Sequence, residues 1–490
     1  MSAPRLSELL AGIADVPTSA DIAVRGLSLD SRSIAPGHVF IALPGSRGHG
    51  LEYAPQALAA GAAAIVFEPP GTAPEANVPV LAVPGLRRSL GAVASRMYGA
   101  PSEALTVIGV TGTNGKTSTV QLLAQALSAA GHRVGTIGTL GAGIHPALTA
   151  GERTTPDVIS THGLIAAMRD QGATHLAMEV SSHALEQGRV DNVAYDLAVF
   201  TNLTHDHLDY HGDMAAYGAA KRRLFNDWPL QGAVINRDDA FGRELLRLPP
   251  RAERVLSYSV AGEPGAELST HGLRSSAAGL EFELSTPWGS SRVVSRLVGR
   301  FNVANLLAVA GCLGLLGWDH ARIASALAAL APVPGRMNRL GGDARLPLVV
   351  VDYAHTPDAL EQALASVRAH AAGTVACVFG CGGERDRAKR PEMARIAERL
   401  ADRVIVTDDN PRGEDGDAIV AEIRAGFAHP ERARVIRDRA TAIARAVAEA
   451  APGDAVLIAG KGHEPYQEIA GIKRPFDDLD EARRALEARA

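Results

Sequence analysis

Residues 106–119, TVIGVTGTNGKTST, constrain this chain more than any other stretch. The apolar, β-branched segment 106–110 reads as a buried parallel strand. It runs straight into the glycine-rich TGTNGKT, and a helical pattern follows to about Ala130. Strand, loop and helix in that order make an anion site. Glycines let backbone N–H groups approach phosphate oxygens, and the helix start adds its positive dipole end. Lys116 is placed to neutralise β/γ-phosphate charge, and the Thr117 hydroxyl to hold Mg²⁺. The spacing departs from G-x4-G-K-[ST]: Val110 stands five before Gly115, with glycines at 109 and 112 instead. The competing reading, a glycine-rich turn without function, is disfavoured because strand, loop, Lys-Thr and helix coincide.

At ~100–200 residues per domain, 490 residues suggest about three domains. Hydrophobic residues at 46% and charged residues at 21% supply several ordinary globular cores. A net charge of −5 with no basic stripe argues against nucleic acid, which needs clustered cations to displace counterions. Aromatics at 4% offer few stacking platforms. A small anionic substrate stays open, since a few local cations suffice for it. Three cysteines, Cys312, Cys377 and Cys381, argue against a disulfide framework and read as reduced structural thiols. The start, MSAPRLSELLAGIADV, has neither the basic nor the apolar region of a signal peptide, and no run of 18 apolar residues occurs. A cytoplasmic protein without membrane insertion is expected.

The first hundred residues read as small strands and short helices: a strand in VFIALPG, then a helix and strand in APQALAAGAAAIVFE, with a linker at residues 98–101. A second α/β unit starts at Leu105, with further strands in RVGTIGT, HLAMEV and LAVFTNL. Residues 255–298 look like a small β excursion, and 301–317 like a buried helix. After a linker in APVPG (331–335), strands and helices alternate regularly to the end. This last part reads as a doubly wound α/β domain, whose ligands belong at the carboxyl ends of its strands. Asp352 and His355, 380–385, 408–412 and 460–464 all fall there.

Two strand ends carry metal candidates. Glu179 lies in MEVSSH and His207 in TNLTHDHLDYHGD, and each could reach a metal. Mg²⁺ prefers oxygen and keeps waters, so one imidazole ligand is unusual but tolerable. Zinc competes, since His205, His207 and His211 cluster. A polar surface turn is the plain alternative. Lys221, in the helical AYGAAKRRLF, reads by itself as a solvated surface lysine.

TGTNGKTS, MEVSSHALEQGRV, TNLTHDHLDYHGDM, PGRM, DYAHTPD, GCGGERDRAKRP, DDNPR and GKGHE follow one another in this order. Over nearly its full length the chain thereby resembles the Mur ligases of peptidoglycan synthesis. The resemblance implies ATP-dependent joining of a free amino acid to a carboxylate through an acyl-phosphate. It is strongest to the member that adds the third peptide residue to UDP-N-acetylmuramoyl-dipeptide. DNPR resembles the form that adds meso-2,6-diaminopimelate, as opposed to L-lysine. Three α/β domains are implied: a small UDP-binding domain (1–101), a central P-loop ATPase with a mostly parallel sheet (102–333), and a Rossmann-like amino-acid domain (334–490).

Residue roles follow by motif. Gly112, Thr113, Asn114, Gly115, Lys116, Thr117 and Ser118 match the ATP loop. Asn302, Arg336, Asp352 and His355 resemble further ATP contacts. Thr117, Glu179 and His207 look like Mg²⁺ ligands, and Lys221 corresponds to a lysine carbamylated by CO₂. Lys116, Glu179, His207 and Lys221 form the implied catalytic set. Ser33 resembles a UDP contact; Thr154, Thr155, Ser182, Gln187 and Arg189 match positions holding the muramoyl-dipeptide. Arg385, Asp409, Asn410, Pro411, Arg412, Gly460 and Glu464 match the diaminopimelate pocket. Arg412 is the specificity candidate, because a guanidinium pairs with the distal carboxylate that lysine lacks; its plain alternative is a helix cap or a solvent-facing side chain. Two departures stand out: GGERD where the family has GGDRD, and GSRGHG where an aspartate before the glycine is usual. The alternatives are the lysine-adding ligase, a folylpolyglutamate synthetase-like ligase, and a non-catalytic nucleotide-binding regulator. A monomer is expected.

Overall fold

Short β-branched runs sheltered by alanine- and leucine-rich helices build the parallel sheets of this chain. The computed structural model describes residues 3–489 apart from 46, 47, 152, 249 and 277. Met1 and Ser2 of the N-terminal segment, and Ser46 and Arg47 of GSRGHG, lie outside the described residues. The chain divides into two units, Met1–Leu256 and Ser257–Ala490.

The first unit opens with α1 (Leu6–Leu9), followed by β1 (Gly26–Ser28), β2 (His38–Ala42), α2 (Ala54–Ala59), β3 (Ala64–Phe67), β4 (Val80–Ala82) and α3 (Leu86–Met97). The four strands form a parallel sheet in the order β1-β2-β3-β4. Helix α3 was not foreseen from the sequence. Leu86, Leu90, Val93 and Ala94 give it a buried stripe at helical spacing, diluted by arginine and serine on its other face.

The same unit continues with β5 (Thr106–Thr111), α4 (Lys116–Ala129), β6 (Val134–Gly138), β7 (Gly141–Ile144), α5 (Val158–Asp170), β8 (His175–Glu179), α6 (Ser182–Glu186), β9 (Leu197–Phe200), α7 (Leu208–His211), α8 (Met214–Asn226), β10 (Leu230–Asn236) and α9 (Ala240–Arg247). The strand order is β10-β9-β5-β8-β6-β7, parallel except for β7. Strand β5 is flanked on both sides, with Val110 beside Glu179 and Thr111 beside Phe200. The loop after β5 therefore emerges between the ends of β8 and β9. That is the crevice where open α/β sheets bind ligands. Val107, Ile137, Ile165, Met178, Phe200, Leu224 and Phe225 belong to the core that holds these strand ends in place.

Strand β11 (Ala252–Ser259) runs across the boundary between the units. In the second unit β12 (Leu268–Ser276), β13 (Gly279–Thr286) and β14 (Gly289–Ser295) form an antiparallel meander, the expected β excursion. Helices α10 (Arg300–Leu315) and α11 (His320–Ala329) follow, and α10 is buried on nearly every side, as its apolar sequence requires. Next come β15 (Asn338–Gly341), β16 (Leu348–Asp352), α12 (Pro357–His370), β17 (Val375–Phe379), α13 (Lys389–Leu400), β18 (Arg403–Val406), α14 (Gly416–Arg424), β19 (Ala433–Val435), α15 (Arg439–Glu449) and β20 (Ala455–Ala459). The hairpin β21 (Tyr466–Ile469) and β22 (Ile472–Pro475) and helix α16 (Asp478–Glu487) close the chain.

The last sheet runs β15-β16-β20-β17-β18-β19, parallel except for β15. Asp352 pairs with Ala459, and Phe379 with Val406, so the segments after β16, β17, β18 and β20 share one edge. Cys312, Cys377 and Cys381 are buried and free. Among the described residues, no helix is long and apolar enough to cross a membrane.

Candidate active site

In the first unit the loop after β5 is stitched to the end of β9. Thr113 N–H donates to Asn202 O at 2.8 Å, and Asn114 N–H to Asn202 Oδ1 at 2.8 Å. The Thr201 hydroxyl donates to Asn114 O at 2.6 Å. Gly112 is required here: at φ +148° a Cβ would lie 1.9 Å from Thr201 Oγ1. Gly115, at φ +87°, precedes α4, and no side chain caps the helix start. A helix start following such a loop is the kind of backbone that a phosphate site needs.

Two lysines converge on one carbonyl. Lys116 Nζ donates to Gly112 O at 2.9 Å and to Thr113 O at 2.8 Å, and Lys221 Nζ donates to Gly112 O at 2.8 Å. Lys221 is 1% exposed and lies 4.3 Å from the Tyr217 ring centroid. It is not the solvated lysine that its local sequence suggests. Burial, and then the charge of Lys116, hold its amine well below the usual lysine range.

Glu179, also 1% exposed, ends β8. Its Oε1 accepts from Thr139 N–H at 2.7 Å, and its Oε2 from the Thr139 hydroxyl at 3.3 Å. His207 is held at φ +53° with Nε2 3.3 Å from Asp206. Burial lowers its pKa; Asp206 pulls it back up, while Lys116 and Lys221 push it down. The neutral imidazole retains a lone pair. The three clustered histidines do not form a zinc site. His205 is exposed, and His211 is engaged with Ser182 and Glu186. Among the described residues no group of three or more His, Cys, Asp or Glu side chains is placed to hold a metal ion. A Mg²⁺ set of one carboxylate, one imidazole and hydroxyl oxygens asks for fewer such groups.

Five of the six expected UDP-substrate contacts gather at the end of β8. Thr154 Oγ1 lies 3.1 Å from Thr139 Oγ1, and the Thr155 hydroxyl donates to Glu179 O at 2.8 Å. Arg189 donates through Nη1 to Thr155 O at 3.1 Å and through Nε to Gln187 Oε1 at 2.9 Å. Gln187 in turn donates to the Tyr210 hydroxyl at 2.8 Å, and Ser182 contacts His211. The His183 ring packs against His207, Tyr210 and His211. Burial first, then its histidine neighbours, push His183 down to about 4. Ser33 sits apart, exposed, in the turn Ser31–Ser33 beyond β1.

In the second unit Arg412 stands at φ +54°, its backbone N–H bonded to Glu468 O at 3.0 Å and its carbonyl accepting from Ala470 at 2.7 Å. Its Nη1 donates to Gly383 O at 2.8 Å. It does not cap α14, whose start is capped by Asp415. A Cβ on Gly382 would meet Arg412 Nη1 at 2.9 Å and Arg385 Cγ at 3.7 Å, so both arginines flank that glycine. Glu384, the extra-methylene departure, takes φ +55°, and its carboxylate lies against Gly413. The buried Arg390 braces this loop, donating to Gly382 O at 3.3 Å and to Glu422 at 2.7 Å.

Asn410 Nδ2 donates to Glu464 Oε2 at 2.7 Å. The backbone at Gly460 passes close to Asp409: a Cβ there would lie 2.4 Å from Asp409 Oδ2. Pro411 is buried beside them. Asp352 accepts from Met337 N–H at 2.8 Å, and burial raises its pKa. His355 bonds to Tyr353 O at 2.8 Å and is pushed down by burial and then by Lys389. The Arg336 guanidinium lies 4.8 Å from the Tyr353 ring. On α10, Asn302 donates to Val298 O at 2.7 Å and accepts from Asn305 at 2.9 Å.

Three contributors escaped the sequence reading. Lys461, fully buried, donates to Asn410 Oδ1 at 3.2 Å, to Glu464 Oε2 at 3.3 Å and to Tyr466 O. Its signal was present in GKGHE at a strand's carboxyl end. Thr139 and Tyr217 carry no local signal, since only tertiary packing brings them to Glu179 and Lys221.

Family models match three consecutive stretches: the Mur ligase family catalytic domain over 23–98, the Mur ligase middle domain over 110–313, and the Mur ligase glutamate ligase domain over 335–462. The UDP-N-acetylmuramoyl-L-alanyl-D-glutamate–2,6-diaminopimelate ligase of Xanthomonas campestris pv. campestris is 57% identical over 483 residues, covering 98% of this chain and 97% of the relative. A solved structure of a ligase of that name is 39% identical, with a TM-score of 0.72 over 100% of this chain and 99% of the other. The MurF ligase from Thermotoga maritima in complex with ADP, 21% identical with a TM-score of 0.64 over 95% of this chain and 99% of the other, is alike in fold.

Proposed function

The chain belongs to the Mur ligase family, and from that membership we infer that it joins meso-2,6-diaminopimelate to the D-glutamate γ-carboxylate of UDP-N-acetylmuramoyl-L-alanyl-D-glutamate at the expense of ATP, in peptidoglycan precursor synthesis. The observation that carries this reading is full-length identity of 57% to a relative of that name. The presence together of Lys116, Glu179, His207 and Lys221 in this chain disfavours a non-catalytic regulator, and DNPR disfavours the lysine-adding ligase. The three segments 1–101, 102–333 and 334–490 are assigned to the UDP end, to ATP and to the amino acid.

A carboxylate and an amine do not condense readily in water, so the carboxyl must first gain a leaving group. The γ-carboxylate attacks the γ-phosphorus of ATP in line, the bond to the bridging oxygen breaks and ADP leaves, while charge builds on the phosphoryl oxygens. The loop N–H groups and Lys116 are the cations and dipoles on hand to stabilise it. The diaminopimelate amine then displaces phosphate from the acyl-phosphate. Water must be kept from that intermediate while the amine is brought up.

Mg²⁺ fits the donor chemistry: the buried Glu179 carboxylate, the buried Thr117 hydroxyl and the neutral His207 imidazole are oxygen and nitrogen donors of the right kind. When bound, the ion neutralises phosphate charge. Burial favours the deprotonated amine of Lys221, the form that adds CO₂: an N–C bond forms, one proton is released, and a carbamate anion results. Asn302, Arg336, Asp352 and His355 are assigned to ATP, and Ser33 to the uridine. In the amino-acid pocket, Arg412 with Arg385 meets the distal carboxylate. Asp409, Asn410 and Glu464 meet the ammonium end. The ligase is taken to act as a cytoplasmic monomer.

The test is phosphate release with UDP-N-acetylmuramoyl-dipeptide, run in parallel with diaminopimelate and L-lysine. Release that requires the dipeptide and diaminopimelate is expected. Equal turnover with lysine overturns the choice of amino acid, and release without either substrate overturns the ligase.

A further inference from the structure

Ser182 and Glu186 lie four apart at the two ends of α6, on one face of that helix. The imidazole of His211, the last residue of α7, fits between them. Its Nε2 is 2.9 Å from Ser182 Oγ, and its Nδ1 is 3.2 Å from Glu186 Oε2. The His211 side chain is 2% exposed, and its ring is packed by His183, Tyr210 and Tyr217. Both ring nitrogens are thus engaged and the ring cannot swing. A carboxylate beside Nδ1 favours the proton on that nitrogen, which leaves Nε2 as the acceptor. Ser182 must then spend its one hydroxyl hydrogen on Nε2. Two oxygen lone pairs are all it has left for a ligand.

We infer that His211, oriented by Glu186, is a positioning residue that fixes Ser182 as a hydrogen-bond acceptor, so that Ser182 takes an amide N–H of the dipeptide and not one of its carboxylates. This rests on the reading of Ser182 as a contact of the nucleotide-linked dipeptide. Arg189 is a cation at the same strand end, and carboxylates go to it. The division of labour is chemical: a guanidinium for the anion, a pre-turned hydroxyl for the amide.

Steady-state kinetics on the full chain test it, with His211→Phe, His211→Gln, Ser182→Ala and the double variant S182A/H211F. Phenylalanine keeps the ring volume and removes the acceptor. Losing one oriented hydrogen bond raises KM for UDP-N-acetylmuramoyl-dipeptide roughly tenfold in H211F and in S182A, with kcat within about threefold and KM for ATP unchanged. The double variant is expected to be no worse than either single, and H211Q, whose amide oxygen can accept, to recover most of the loss. A substrate N-methylated at the alanyl–glutamate amide should lose the same factor on the unaltered enzyme and nothing more on S182A. Multiplying losses in the double variant overturn the relay while leaving the Ser182 contact standing. An unchanged KM in S182A overturns that contact, and the inference with it.

Discussion

Gly112→Ala is the sharpest single perturbation of the phosphate loop. Its Cβ would stand 1.9 Å from Thr201 Oγ1 and 3.1 Å from both Asn202 N and Asn202 O. Thr201 cannot simply rotate away, because its hydroxyl is bonded to Asn114 O at 2.6 Å and Thr111 O at 3.3 Å. The φ of +148° adds strain of ~1–3 kcal/mol for any side chain. Each hydrogen bond surrendered costs about 1 kcal/mol more. Relief to an ordinary contact needs a shift of roughly 1.5 Å, and misplacement of even about 1 Å costs about 10²-fold in rate. Lys116 and Lys221 move with the loop, since both are anchored on Gly112 O. The expected result is phosphate release reduced about a hundredfold at saturating substrates. A thermal midpoint lowered by only a few degrees would show that the fold survives. Activity within about threefold of the unaltered chain would refute the claim that loop position, rather than glycine composition, sets the rate.

Four further outcomes are expected. Lys221→Ala should lose most activity, and short carboxylates such as formate should restore part of it; full activity without rescue sinks the carbamate. Arg412→Ala should collapse the preference for diaminopimelate over lysine, by roughly 10²–10⁴-fold, measured as the ratio of kcat/KM values. Arg439 and Asp478 form a fully buried ion pair with bonds of 2.7 Å, and Arg439 also donates to Ala459 O at 3.0 Å. Asp478→Ala should therefore cost about 3–5 kcal/mol by leaving a buried cation unpaired, read by chemical denaturation. Burial and the neighbouring His132 push His175 down to about 4 from the ordinary 6.5. With its folded pKa depressed, the unfolded chain binds the extra proton. The contribution of His175 is full above 6.5 and lost as pH falls toward about 4, so His175→Gln should flatten the thermal midpoint across that window.

Local chemistry made much of this protein readable. Strand, glycines, Lys116 and helix announce a phosphate loop because backbone approach and dipole direction are properties of adjacent residues. The alternating pattern after 335 likewise announces a doubly wound sheet and the edge where its ligands belong. Helix α3 and the edge strand β7 were missed because their apolar residues are few and interrupted. Lys461 gives no sign of burial inside GKGHE, because only the packing of Asn410, Glu464 and Tyr466 around it closes it off. The zinc alternative rests on spacing, and spacing in a loop says nothing about direction: both ring nitrogens of His211 turn out to face Ser182 and Glu186.

The sequence by itself therefore determined which chemistry the chain carries: a phosphate-cradling loop, a carboxylate and imidazole at neighbouring strand ends, and an arginine in DNPR. Tertiary structure alone decided the state of those groups. Lys221 is an ordinary surface lysine in its own helix. It becomes a buried amine held well below the usual lysine range only because Tyr217, Gly112 and Lys116 close around it and exclude the water that would solvate its charge.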